Sequence, residues 1–132
     1  MAHQYRLDHI SLLVRNLDVS EKFYTEVLGF TKIHNGTTRP NIRWYGIGGI
    51  DALHITEGDF GKTHLEKQTH FALNVQDFDS FVDDLKAKGV TFYDWPGNEN
   101  SVTGRPDGFR QVYIRDPDGY IVEINDHTRE IA

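Results

Sequence analysis

The chain reads as an α+β protein of two tandem βαβββ modules, and three observations predict it. First, HISLLVRNLDVSEKFYTEVLGF from His9 reappears as HFALNVQDFDSFVDDLKAKGVTF from His70, with His on His, Leu12 on Leu73 and Val14 on Val75. Second, within each copy the apolar spacing changes from every second residue to a helical period. Third, three short strand-like runs follow each helix, near 30–35, 41–48 and 51–57 and again near 90–94, 109–115 and 119–126. One domain over residues 1–132 accommodates both copies. The first module occupies about 5–57, GDFGKTHLEK at about 58–67 is the linker, and the second module occupies about 68–127.

Each element has its own justification. In the opening strand Ile10, Leu12 and Val14 share the apolar face, so His9, Ser11 and Leu13 point the other way. Asp18 with Glu21 three places on matches an N-cap and capping box, and Gly29 stands where a left-handed helix stop belongs. In DALHITE, Leu53 and Ile55 face the core while Ala52, His54 and Thr56 oppose them. The second copy repeats the scheme: Phe71, Leu73 and Val75 oppose His70, Ala72 and Asn74. Asp79 is the equivalent cap and Gly89 the equivalent stop. WPGNENSVTGRPDG (95–108) is a long, polar, glycine-rich loop of the kind that forms lids and binding loops. In RDPDGYIVEIND, Tyr120, Val122 and Ile124 face the core, and Ile121, Glu123 and Asn125 do not.

Composition narrows the function classes. No stretch approaches the roughly 18 consecutive apolar residues of a membrane span, and the start lacks the charged and apolar regions of a signal peptide. The chain has no cysteine, which excludes disulfides, thiolate nucleophiles and cysteine-based zinc sites. A cytoplasmic protein is expected. The formal charge of −6 argues against nucleic acid or anionic membranes as partners.

Glu123 poses the sharpest question. A buried, unpaired carboxylate costs on the order of several kcal/mol, or neutralises itself. A wet sheet edge or an arginine such as Arg43 or Arg110 is one way to hold it. Another is a metal. His9, His54, His70 and Glu123 are ligand-type residues, one on each of four strands, at corresponding places in the two modules and on the same inferred face. Taken singly, each histidine reads as a surface or structural residue. Taken jointly, three imidazoles and a carboxylate suit a divalent metal with N and O donors. The donor set accepts zinc, nickel, iron, manganese or cobalt. His3, His34, His64 and His127 lack this register and read as solvated.

LDHISLLVRNLDVSEKFYTEVLGF, THFALNVQDFDSFVDDLKAKGV and VYIRDPDGYIVEIND together resemble the vicinal oxygen chelate superfamily, which includes glyoxalase I, bleomycin-resistance proteins, fosfomycin-resistance enzymes and extradiol dioxygenases. The resemblance covers nearly the whole chain. It implies a curved mixed sheet around a metal-binding cavity, with His9, His70 and Glu123 as the shared ligands and His54 in the place of a fourth, usually Glu. It also implies a homodimer and a small-molecule substrate chelated through neighbouring oxygens.

For a glyoxalase-like lyase or isomerase, Glu123 is the candidate general base. Glutathione is not expected as the carrier. Where glutathione-dependent relatives have an arginine and an asparagine, this chain has Leu13 and Gly58. The alternative is an extradiol dioxygenase. YIRDPDGYIVE reproduces most of that signature from Tyr113 to Glu123 and makes Tyr113 a second catalytic candidate, but positions 104–106 lack its histidine. A metal-free drug-binding resistance protein is the non-enzymatic alternative, with Trp44, Tyr45, Trp95 and Phe109 walling a groove. Arg39, Arg43, Arg105 and Arg110 lie in or beside loops that border the cavity if they point inward, in which case the substrate carries a carboxylate or phosphate.

Overall fold

The computed structural model describes residues 3–49 and 51–128. The chain divides into two compact units, one ending at His64 and the other beginning at Leu65. Each unit is one module of the repeat. Among the described residues no helix is long and apolar enough to cross a membrane.

In the first unit, β1 (His9–Val14), β2 (Thr31–Ile33), β3 (Ile42–Gly46) and β4 (Ala52–Glu57) form a sheet in the order β1-β4-β3-β2. The first strand thus lies parallel to the last, and the remaining pairs are antiparallel. In the second unit, β5 (Phe71–Asn74), β6 (Thr103–Gly104), β7 (Arg110–Arg115) and β8 (Ile121–Asn125) take the order β5-β8-β7-β6, again with the first strand parallel to β8. Alternation dictates which face is apolar. Val14, Leu53 and Ile55 are fully buried with Tyr24 and Tyr45 in one unit, and Val112, Ile114, Val122 and Ile124 with Leu85 and Phe92 in the other. Each such side chain contributes roughly 1.5–3 kcal/mol relative to exposure.

The helices begin earlier than the sequence suggests. α1 (Leu17–Lys22) is capped by Asn16, whose side chain accepts from Val19 N at 3.0 Å, and not by Asp18. Glu21 closes no capping box. It is drawn away by Tyr45 Oη (2.9 Å), Arg43 (3.2 Å) and Lys32 (3.0 Å). The helix runs on through one π-helical turn, Phe23–Val27. Likewise Asp77, not Asp79, caps α2 (Phe78–Ala87), accepting from Ser80 N at 3.0 Å. In both copies the cap sits where an extended residue first offers a side-chain oxygen to the free N–H groups. Phe78, Val82 and Leu85 make the buried stripe of α2.

Both predicted helix stops hold. Gly89, at φ +70°, follows the Lys88 cap; its N–H donates to Lys86 O, and that of Val90 donates to Leu85 O, a Schellman closure. Gly29 has φ +74°.

The strand expected at 90–94 is not one. Tyr93 makes a single bridge to Tyr113, exchanging two bonds of 2.8 Å, before Pro96 and the Asp94 turn end the pairing. The same edge of β7 is then taken by β6, which lies inside the segment read as loop. An edge strand has thus been split in two by an excursion anchored at both ends.

Gly89→Ala is expected to lower stability by about 1 kcal/mol, because nothing crowds a Cβ there and only the left-handed backbone is penalised. Urea denaturation midpoints of the two proteins check this.

Candidate metal-binding and substrate site

The two modules place their ligand-type residues by the same register. In the first unit Ser11 pairs with His54 across the parallel β1–β4 ladder, two residues beyond His9. In the second, Ala72 pairs with Glu123 across β5–β8, two residues beyond His70. Small residues, Ser11 and Ala72, occupy the intervening positions. On the other side of β4 and β8, Trp44 stands opposite His54 and Tyr113 stands opposite Glu123. Each unit therefore presents a pair of ligand-type side chains backed by one aromatic ring.

In the first unit the rings of His9 and His54 are 5.0 Å apart, and Trp44 lies 4.5 Å from His54. His9 donates from Nδ1 to Asp8 Oδ2 at 2.8 Å, and that bond holds the Asp8 carboxyl below its usual range. The neutral His9 ring then carries its lone pair on Nε2. His54 Nδ1 is buried without a hydrogen-bond partner, as is Trp44 Nε1. Burial, and secondarily the nearby His9, push the His54 pKa down, which favours the neutral imidazole that a metal requires.

In the second unit Glu123 is 7% exposed, and no arginine holds it. Its Oε1 accepts from Tyr113 Oη at 3.0 Å, and its Oε2 accepts from Asn125 Nδ2 at 2.7 Å. Burial, then the charge of Glu123, push the tyrosine pKa up, so the hydroxyl keeps its proton and donates. His70 gives its Nδ1 proton to Lys67 O at 2.9 Å. That leaves Nε2 facing Glu123 Oε1 at 3.3 Å. Nε2 and Oε1 thus stand face to face, where a proton on the ring or a cation between the two atoms can join them. The carbonyl behind His70 fixes its tautomer, with Nε2 turned toward the carboxylate. Among the described residues no group of three or more His, Cys, Asp or Glu is placed to hold a metal ion. Each unit offers a pair.

A family model described as Glyoxalase/Bleomycin resistance protein/Dioxygenase superfamily matches residues 6–124. The chain belongs to this superfamily. A Vibrio parahaemolyticus protein named "Probable lactoylglutathione lyase" is 30% identical over 129 residues, spanning 90% of this chain and 88% of the relative. The "Metallothiol transferase FosB" of Shouchella clausii is 26% identical, over 96% of this chain and 82% of its own length. Among solved structures, the fosfomycin resistance protein FosX from Listeria monocytogenes shares the fold, with a TM-score of 0.73, 23% identity and 96% coverage of both chains.

Within the superfamily's tandem modules, several expected residues take other roles. Arg43 pairs with Asp18 at 2.9 Å and Glu21 at 3.2 Å, while Arg110 pairs with Asp79 at 2.7 Å and Asp126 at 3.0 Å. Arg39 is exposed. Tyr45 is fully buried in the core and lines no groove. Of the four arginines only Arg105 lines a cleft with His70 and Glu123. His127, read as solvated, is half-buried and accepts from Arg105 at 2.6 Å, because the chain beyond β8 folds back against the β6–β7 hairpin.

Asn125 is the residue the sequence reading missed. It is 6% exposed; its Nδ2 supports Glu123, and its Oδ1 accepts from Asn74 Nδ2 at 3.2 Å. The available signal was its place on the Glu123 face, two residues along the same strand. Asn125→Ala leaves Asn74 and one oxygen of Glu123 without these partners, and is expected to cost roughly 1–3 kcal/mol in thermal or urea unfolding.

Proposed function

We propose that this protein is a divalent-metal-dependent enzyme, a glyoxalase-type lyase or isomerase of a small oxygenated metabolite, with His9, His54, His70 and Glu123 as metal ligands. The observation that carries the reading is the 3.3 Å approach of His70 Nε2 to Glu123 Oε1 while His70 Nδ1 is committed to a carbonyl. His9, locked by Asp8 in the same tautomer, and the unpartnered His54 Nδ1 supply matching donors. When bound, the metal supplies a Lewis acid that polarises neighbouring substrate oxygens.

The chain's own residues do the rest. Glu123 accepts the proton beside the substrate carbonyl. Tyr113 and Asn125 hold its two oxygens in place, so the base stays oriented as its charge changes. Trp95, 5.3 Å from the Tyr113 ring and 6.1 Å from that of His70, forms part of the cleft wall beside them. Leu13 supports a carrier other than glutathione: its Cδ1 lies 3.0 Å from where a Cβ on residue 58 would stand, so a leucine fills the room that an asparagine at Gly58 would need. The relatives named for lactoylglutathione lyase lend the reaction class, and the superfamily resemblance lends a homodimer as the assembly.

An extradiol dioxygenase is the second reading, favoured by the Tyr113 hydroxyl at 3.0 Å from Glu123, where a catecholate would meet it. Two experiments separate the readings. Elemental analysis of untagged protein is expected to find about one metal per chain, and His70→Ala and Glu123→Ala are each expected to lose it while keeping a cooperative melt. Full metal occupancy in both variants would count against the assignment. An oxygen electrode is expected to register no uptake when the metal-loaded protein meets a panel of catechols; uptake would move the assignment to the dioxygenase.

A further inference from the structure

We propose that Asn35 is a site of self-modification: in the folded protein the backbone nitrogen of Gly36 attacks its carboxamide, which becomes an acid and releases the loop it ties together. The site lies in the first unit, between β2 and β3, and takes no part in the chemistry assigned above.

One side chain holds this loop. Asn35 Nδ2 donates to Arg39 O at 3.1 Å and to Ile42 O at 3.0 Å. Its Oδ1 accepts from Thr37 N at 2.9 Å and from Thr37 Oγ1 at 2.7 Å. Thr37 Oγ1 in turn accepts from Arg39 N at 3.3 Å. Ile42 opens β3, the strand that sets Trp44 opposite His54, so the carboxamide pins the start of that strand.

The same bonds prepare a reaction. The bond from Thr37 N closes a ring of covalent and hydrogen bonds that contains both Asn35 Cγ and the Gly36 nitrogen, so one turn holds the two reacting atoms. Two donors already sit on Oδ1, where negative charge gathers when Cγ is attacked. Gly36 is exposed and puts no side chain beside its nitrogen. That nitrogen gives its proton to solvent base and bonds to Cγ. The bond from Cγ to Nδ2 breaks, and Nδ2 takes a proton from water and leaves as ammonia. The product is a five-membered succinimide, which water opens at either carbonyl to give aspartate or isoaspartate. Either product ends both donations from Nδ2. In the aspartate a carboxylate oxygen faces Arg39 O and Ile42 O, two acceptors, while the bonds from Thr37 survive. The modification thus cuts the tie to β3 and spares the turn.

The test ages the intact, folded protein in mildly alkaline buffer and follows each asparagine by peptide mass spectrometry, with isoaspartyl methyltransferase scoring isoaspartate. Asn35 is expected to convert about tenfold or more faster than Asn100, which is also exposed and is followed by serine. Gly36→Ala is expected to slow the conversion by about tenfold or more, because a methyl group obstructs the attacking nitrogen. Alanine fits the folded loop, since nothing lies within 4 Å of where its Cβ would stand and the backbone there is not left-handed. Asn35→Asp is expected to keep a cooperative melt while amides across residues 35–42 exchange hydrogen faster. Conversion confined to the urea-unfolded chain, a rate no faster than that of Asn100, or a rate unchanged by Gly36→Ala would overturn the site. Unchanged exchange in Asn35→Asp would overturn the release of the loop.

Discussion

Glu123 is the constraint around which the second unit is arranged. A carboxylate 7% exposed within a sheet must have its charge compensated. Two hydrogen bonds supply part of it, a tyrosine hydroxyl on one oxygen and an asparagine amide on the other, and an imidazole nitrogen stands 3.3 Å from the first. These partners come from three adjoining stretches of chain, β7, β8 and the entry to β5. The packing of β8 between β5 and β7 therefore cannot be separated from the chemistry of the acid. Exchanging that carboxylate for an apolar residue would remove the reason for Tyr113, Asn125 and His70 to be polar at all.

Duplication explains why the arrangement occurs twice in different chemical dress. The first unit puts His54 where the second has Glu123, and Trp44 where the second has Tyr113, by the same ladder registers. One pair is neutral and apolar-backed, with buried ring nitrogens left unpartnered. The other sets an imidazole beside a carboxylate whose two oxygens each accept a hydrogen bond. A common backbone thus presents two imidazoles in one copy and an imidazole beside a carboxylate in the other.

What was legible in the sequence followed from period-two alternation. The burial of Val14, Leu53, Ile55, Val122 and Ile124, and the opposite facing of His9, His54, His70 and Glu123, needed only the order of residues. Gly29 and Gly89 were legible because a left-handed stop tolerates few other residues. The caps were misplaced by two residues because Asn16, Asp18, Asp77 and Asp79 are all competent cap residues, and the sequence does not say where the extended strand ends. The Tyr93 segment was read as a strand because its apolar residues alternate; only the pairing partner shows that β7 gives that edge a single bridge before offering the rest to Thr103 and Gly104.

The sequence by itself determined the duplicated α+β architecture, the facing of each ligand-type residue and the superfamily, since these depend on local periodicity and on motifs carried by contiguous residues. Tertiary structure decided which partners those residues meet. Arg105 lines the cleft while Arg43 and Arg110 are bound to carboxylates elsewhere, Asn125 and not an arginine supports Glu123, and His127 is bonded where solvent was expected. Long flexible side chains reach several ångströms from their backbone, so their pairings are set by residues distant in sequence, and alternation carries no information about them.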